Sequence, residues 1–161
     1  LEQEASAFLA AMPIIEKNKQ NRILTPMMAV FPGREGVKTV WWDILKTGEP
    51  NSCIGGRSIS EFEHTLVKWH RERVKLKIPA QIIFKKSDEE RGKKLSKKPF
   101  TEARIMPIAE TSPITINVYG NKVGLVIVSP TQGAGIIIEN KEIADGFRAY
   151  FNLLWQTATK I

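Results

Sequence analysis

Apolar positions along this chain change their period several times, and each change marks an element. Leu1, Ala5, Phe8, Met12 and Ile15 recur at alternating intervals of four and three residues, as in an amphipathic helix or a coiled-coil seam. Pro13 is expected to kink or end that helix. The stripe can be the end of a longer connector helix that pairs with a second copy. It can equally be a helix docked on its own domain.

Met27 to Phe31 is a short apolar run closed by Pro32-Gly33, which predicts a strand and a turn. Val37, Val40, Trp41, Ile44 and Leu45 then share one helical face, and Gly48 is the stop signal. Ser52 to Ile54 predicts a brief strand, after which Gly55-Gly56 frees the backbone. Ser60 and Glu63 have the spacing of a capping box. They are expected to open a helix with Ile59, Phe62, Leu66, Trp69 and Val74 on its buried band, ending near Lys77.

A buried strand is expected over Ala80 to Phe84, then a polar loop or short helix over Lys85 to Lys98. Apolar runs follow at 103–106, 114–119, 123–128 and 134–138. Gly120-Asn121 separates the second from the third and predicts an antiparallel hairpin. Asn140 is placed to cap a last helix, with Ile143, Phe147, Tyr150, Phe151, Leu154 and Ala158 on one face. Early strand–helix alternation calls for parallel crossovers, and the later hairpin adds antiparallel pairing. The expected fold is α/β: a mixed sheet with helices on both faces, preceded by a connector helix. Residues 1–20 form the end of that connector and 27–161 one domain.

Composition narrows the class without choosing a function. Of the 161 residues, 42% are hydrophobic and 25% charged, which suits a folded domain and argues against wholesale disorder. A single cysteine, Cys53, excludes an internal disulfide. The longest apolar runs are too short to span a bilayer as helices, and no signal peptide opens the chain. The cytoplasm is the expected address. The first residue is Leu1 rather than Met, so further chain is expected upstream.

Charge is uneven. The formal net charge is +7, yet residues 68–98 carry twelve Lys or Arg against four acids. Such a surface can attract phosphates by counterion release. It can also simply solvate a helix end and a loop, and no aromatic residue interleaves Lys85 to Lys98 as a base-stacking platform requires.

Candidate chemistry is sparse. His64 and His70 point to different faces of their helix, His70 within the apolar band, so paired metal ligation is not expected. Cys53 reads as a small buried apolar residue. Gly33-Arg34-Glu35-Gly36 matches neither a dinucleotide fingerprint nor a P-loop, and no cofactor is implied. Gly55-Gly56-Arg57-Ser58 lies at a strand end, where open α/β sheets place ligands, although a plain connection would look the same.

The C-terminal stretch Ile114-Thr-Ile-Asn-Val-Tyr-Gly-Asn-Lys-Val-Gly-Leu-Val-Ile-Val-Ser129 is followed by Gly135-Ile-Ile-Ile-Glu-Asn-Lys-Glu-Ile-Ala144 and by Phe147 to Trp155. Together these resemble the effector domain of the TrmB family of transcription regulators. Val30-Phe-Pro-Gly-Arg-Glu-Gly-Val-Lys38 is similar to that family's strand-to-helix entry, and the resemblance runs from Met27 to Ala158. It implies a phospholipase-D-like fold. Active relatives of that fold carry H-x-K-x4-D, whereas the corresponding hairpin here reads Thr115-Ile116-Asn117 and Asn121-Lys122, without a histidine. On this ground the chain is expected not to be an enzyme.

The resemblance also implies a winged helix upstream that binds DNA, a homodimer joined through the Leu1 to Ile15 seam, and a small-molecule effector of unknown identity. By analogy with the degenerate active site, the effector pocket is expected at the strand ends. Arg57 and Ser58 would make anion or hydroxyl contacts, Thr115 and Asn117 polar contacts, and Ser129 and Glu139 the rim. The alternatives are a purely structural dimerisation domain and a nucleic-acid-binding domain that uses the 68–98 surface.

Overall fold

A computed structural model describes residues 27–57, 59–106 and 112–161. The seam from Leu1 to Ile15, and Ser58, lie outside the described residues. Eight strands and four α-helices follow one another as β1 (Met27–Pro32), α1 (Gly33–Thr47), β2 (Asn51–Gly56), α2 (Glu63–Lys75), β3 (Ala80–Lys85), α3 (Glu89–Ser96), β4 (Thr101–Met106), β5 (Ile114–Tyr119), β6 (Lys122–Val128), β7 (Gly133–Glu139), α4 (Lys141–Thr157) and β8 (Thr159–Lys160). All strands join one sheet in the order β1-β7-β6-β5-β2-β3-β4-β8. Pairing is parallel for β2/β3 and β3/β4 and antiparallel elsewhere.

The mixed α/β class with helices on both faces is as expected. One face meets α1, α2 and α3 through Val40, Trp41, Leu66, Trp69 and Leu95. The other meets α4, where Phe151 packs on Ile83 and Ile54 while Ala144 packs with Val118 and Val123. The hairpin at Gly120-Asn121 forms in register, with Tyr119 opposite Lys122. Gly48 ends α1 in the left-handed region at φ 75°, and Asn140 Oδ1 accepts from the Ile143 N–H at 2.9 Å.

Three local expectations need correction. The β1–α1–β2 crossover does not join neighbours: β1 pairs antiparallel with β7 at the sheet edge, three strands from β2. As a consequence its apolar run stays uncovered, with Met27, Met28 and Val30 all at least 60% exposed. The capping box does not form either. Ser60–Phe62 is a short 3-10 turn, α2 starts at Glu63, and no side chain caps it. Finally, Val74 is only half-buried and the inward position beside it belongs to Arg73, which is 0% exposed.

Glycine at one helical site works against the fold. Gly146 sits exposed inside α4, and an added Cβ would meet nothing within 4 Å. Gly146→Ala is expected to raise unfolding stability by about 0.5–1 kcal/mol, because alanine loses less backbone entropy in a helix. Chemical denaturation with an unchanged m-value checks this.

Candidate ligand cavity

A narrow cavity of about 50 Å³ lies between the sheet and helices α2 and α3. Its floor runs along β2 from Asn51 to Arg57, with Ile82 and Phe84 of β3 on one side and Thr115 and Asn117 of β5 on the other. Strand alternation sets this pattern, since every second residue faces the same way. A bulge between Ile54 and Gly56 then lets Gly56, instead of Gly55, take the inward position. A Cβ at Gly56 would stand 2.5 Å from Ile82 Cγ2, so the close approach requires glycine.

The roof is held by specific bonds. Trp69 Nε1 donates to the Trp41 carbonyl at 2.6 Å, which pins α2 to α1 and fixes the indole as a wall. Leu95 and Arg91 come from α3, and Arg91 Nη1 donates to Glu63 Oε2 at 2.6 Å across to α2. Arg57 closes one end: its Nη2 donates to the Val128 carbonyl at 2.8 Å and the Pro113 carbonyl at 3.2 Å. Asn51 Nδ2 donates to Asn117 Oδ1 at 3.1 Å at the other end. Thr115 Oγ1 donates to the Gly55 carbonyl at 3.2 Å.

Among the described residues, three polar atoms on this lining have no hydrogen-bond partner: Asn51 Oδ1, Arg57 Nε and His70 Nδ1. Buried polar groups are overwhelmingly paired in folded proteins, so three such atoms around one cavity set it apart from ordinary core. His70 is held neutral, its pKa lowered to about 3 by burial and, secondarily, by the positive charges of Arg73, Arg91 and Lys98. Burial also pushes the Cys53 thiol up to about 12, so it is no thiolate at neutral pH.

The His70 environment gives a stability prediction. Between pH 6.5 and about 3 the unfolded chain binds this proton and the folded chain does not. Stability contributed by the neutral ring is therefore fully present above pH 6.5 and lost as pH falls toward 3, by up to about 1.4 kcal/mol per pH unit. His70→Gln should flatten that part of the profile. Urea unfolding at pH 7 and pH 4.5 of wild type and variant measures the difference.

The cavity brings together three of the residues singled out from sequence, Arg57, Thr115 and Asn117. Ser129 is elsewhere, in the β6–β7 turn, where its hydroxyl donates to the Gln132 carbonyl and accepts from the Gln132 N–H. Glu139 lies at the opposite end of β7, paired in register with Lys122. Asn51, His70 and Arg91 were not singled out as ligand contacts. His70 within an apolar band was the one signal for them. Among the described residues no group of three His, Cys, Asp or Glu is placed to hold a metal. Among the described residues no helix is long and apolar enough to cross a membrane.

Comparison with solved structures completes the description. NucT from Helicobacter pylori superimposes with a TM-score of 0.67 at 9% identity, covering 85% of this chain and 100% of its own. Nuc from Salmonella typhimurium, a phospholipase D family member, gives 0.62 at 13% identity over 85% of this chain and 99% of its own. The fold is phospholipase-D-like. TrmBL2, an archaeal chromatin protein whose structure shows a novel mode of DNA binding, matches with a TM-score of 0.54 at 16% identity. That match covers 99% of this chain and 65% of TrmBL2. No family model matches the sequence, and no curated protein does.

These three likenesses are likenesses of fold. They also correct one expectation, that the chain is not an enzyme. Phospholipase D is by name an enzyme, and this scaffold is shared with a member of that family over nearly the member's whole length. A missing histidine near Thr115 and Asn117 is therefore no ground for excluding an activity.

Proposed function

We propose that this chain is the effector-binding and dimerising domain of a TrmB-like transcription regulator. In this reading residues 1–20 end a connector helix, a winged helix upstream contacts DNA, and the regulator works in the cytoplasm as a homodimer. The effector occupies the cavity over β2, with Arg57, Thr115 and Asn117 among its contacts and Ser58 as a further proposed contact; Ser129 and Glu139 line other parts of the surface. The observation that carries the reading is the group of buried atoms without protein partners around that cavity, Asn51 Oδ1, Arg57 Nε and His70 Nδ1. The correspondence with TrmBL2 along nearly all of this chain supports the class. Regulation would follow by population shift, the effector binding one arrangement of the dimer more tightly than the other.

A thermal-shift screen with carboxylates, sugars, phosphates and nucleotides tests the sensing part, and light scattering at several concentrations tests the dimer. A saturable stabilisation and a constant dimer mass are expected. No stabilisation by any compound, or a monomer throughout, would count against the corresponding half. Turnover of bis-p-nitrophenyl phosphate would replace sensing by catalysis.

A second reading, nucleic-acid binding by the basic surface, has one observation in its favour. Lys94, Lys97 and Lys98 are exposed and form no ion pair with a described residue. Several of their neighbours are already neutralised: Lys86 and Lys93 pair with Glu89, and Arg91 with Glu63. Charge alone predicts weak binding that vanishes as salt rises. Retention of DNA at high salt would favour this reading.

A further inference from the structure

We infer that the cavity over β2 takes a slender monocarboxylate with an unbranched carbon chain, its headgroup on Arg57. This rests on the effector-binding reading and gives the ligand a chemical class. The argument begins with charge. Among the described residues two cations line the cavity, Arg57 and Arg91, and no acid does. Arg91 has a counter-charge in Glu63. Among the described residues Arg57 has none: its Nη2 bonds go to two backbone carbonyls and its buried Nε has no partner. A buried N–H donor without an acceptor is unfavourable, and an anionic oxygen supplied by a ligand relieves it.

The walls restrict which anion fits. Beyond Arg57 the lining is mixed: Ile82, Phe84, Leu66 and Leu95 form apolar walls beside the polar Asn51, His70, Thr115 and Asn117. A phosphate dianion needs donors on several sides and would lose its hydration against hydrocarbon. A carboxylate presents one charged end and can leave carbon against those walls. Shape restricts the carbon part. The volume is about 50 Å³, and the lining reaches along the chain from Asn51 to Arg57, six steps or roughly 20 Å at strand rise. Such a thread admits an unbranched chain and excludes a pyranose ring.

An entry path has the matching charge. His70, Arg91 and Leu95 also line an outer groove of about 180 Å³, together with Lys94, Lys98 and a single acid, Glu63. A positive approach raises the local concentration of anions. The Arg91–Glu63 pair spans α3 and α2 at this point, so admission of a ligand would act on how the two helices sit together.

Hexanoate is the probe, tested by titration calorimetry against hexanamide, inorganic phosphate and maltose. Saturable binding of hexanoate is expected, with hexanamide at least about tenfold weaker because it lacks the charge that Arg57 awaits. The NMR signal of the Trp69 indole Nε1–H should shift on binding, and that of Trp155, on the opposite face, should not. Arg57→Gln should weaken hexanoate at least about tenfold. Since Arg57 also ties two carbonyls, the wild-type comparison of hexanoate with hexanamide stands as the deciding measurement. Equal binding of the two, or binding of maltose or phosphate but not hexanoate, overturns the carboxylate inference and leaves sensing intact. Binding of none of the four overturns the carboxylate inference, and failure of the wider screen would then remove sensing as well.

Discussion

Replacing Arg73 with methionine is expected to cost about 3–5 kcal/mol of unfolding stability, the range for breaking a buried, charge-bearing network. The side chain is fully buried at the end of α2. Its Nη1 donates to the Ile78 carbonyl at 2.7 Å and the Phe100 carbonyl at 2.9 Å, and its Nη2 to Thr101 Oγ1 at 2.5 Å. Two loops meet there whose turns hold non-glycine residues at positive φ, Lys77 and Phe100, both at 57°. The guanidinium thus ties the loop entering β3 to the loop entering β4, and methionine fills the space without supplying a donor. The Ile78 carbonyl then stays buried and unpaired. Burial also lowers the Arg73 pKa to about 10, still far above neutrality, so the group stays charged and the bonds stay charge-assisted. Guanidinium unfolding of R73M beside R71M measures the effect. Arg71 is exposed and pairs only with adjacent Glu72, so its variant should stay within about 0.5 kcal/mol of wild type. Equal stability of the two variants would refute this account of the two loops.

Gly135→Ala is expected to destabilise by about 3 kcal/mol, or to prevent folding, since overpacking against backbone has no cheap relaxation. A Cβ at Gly135 would sit 2.1 Å from the Gly36 carbonyl oxygen and 2.7 Å from Val40 Cγ2. Gly36 is the reciprocal position: its Cβ would lie 1.9 Å from the Phe31 carbonyl oxygen. Helix α1 therefore rests on β1 and β7 by backbone contact, and that seating also places Trp41, whose carbonyl holds Trp69 over the cavity. Gly133→Ala is the control. Its Cβ would meet Val37 Cγ2 at 3.4 Å, an ordinary contact, and about 1 kcal/mol or less should be lost. Thermal unfolding of the two variants, with Trp fluorescence as a probe of the cavity roof, separates a local loss from a displaced helix.

Much of this molecule was legible in its residues where short-range physics decides. The β5–β6 hairpin follows from Gly120-Asn121, the start of α4 from Asn140, and the end of α1 from Gly48. The buried state of Cys53 and the inward position of His70 follow from the apolar patterns around them. Ser60 and Glu63 show where such rules fail: the spacing of a capping box is present, but Phe62 must be buried against Trp41. The chain makes a 3-10 turn there, and α2 starts at Glu63.

What the sequence by itself determined was the kind and order of the elements, and hence the mixed α/β class, because periodicity and turn chemistry act within a few residues. The tertiary structure alone decided that β1 lies beside β7, and that a fully buried arginine fastens two loops. It alone assembled a cavity from Asn51, Arg57, His70, Arg91 and Asn117. Asn51 and Asn117 bond across 66 residues of chain, and no local pattern specifies a partner at that range. Strand order specifies it, through the competition among whole faces for burial.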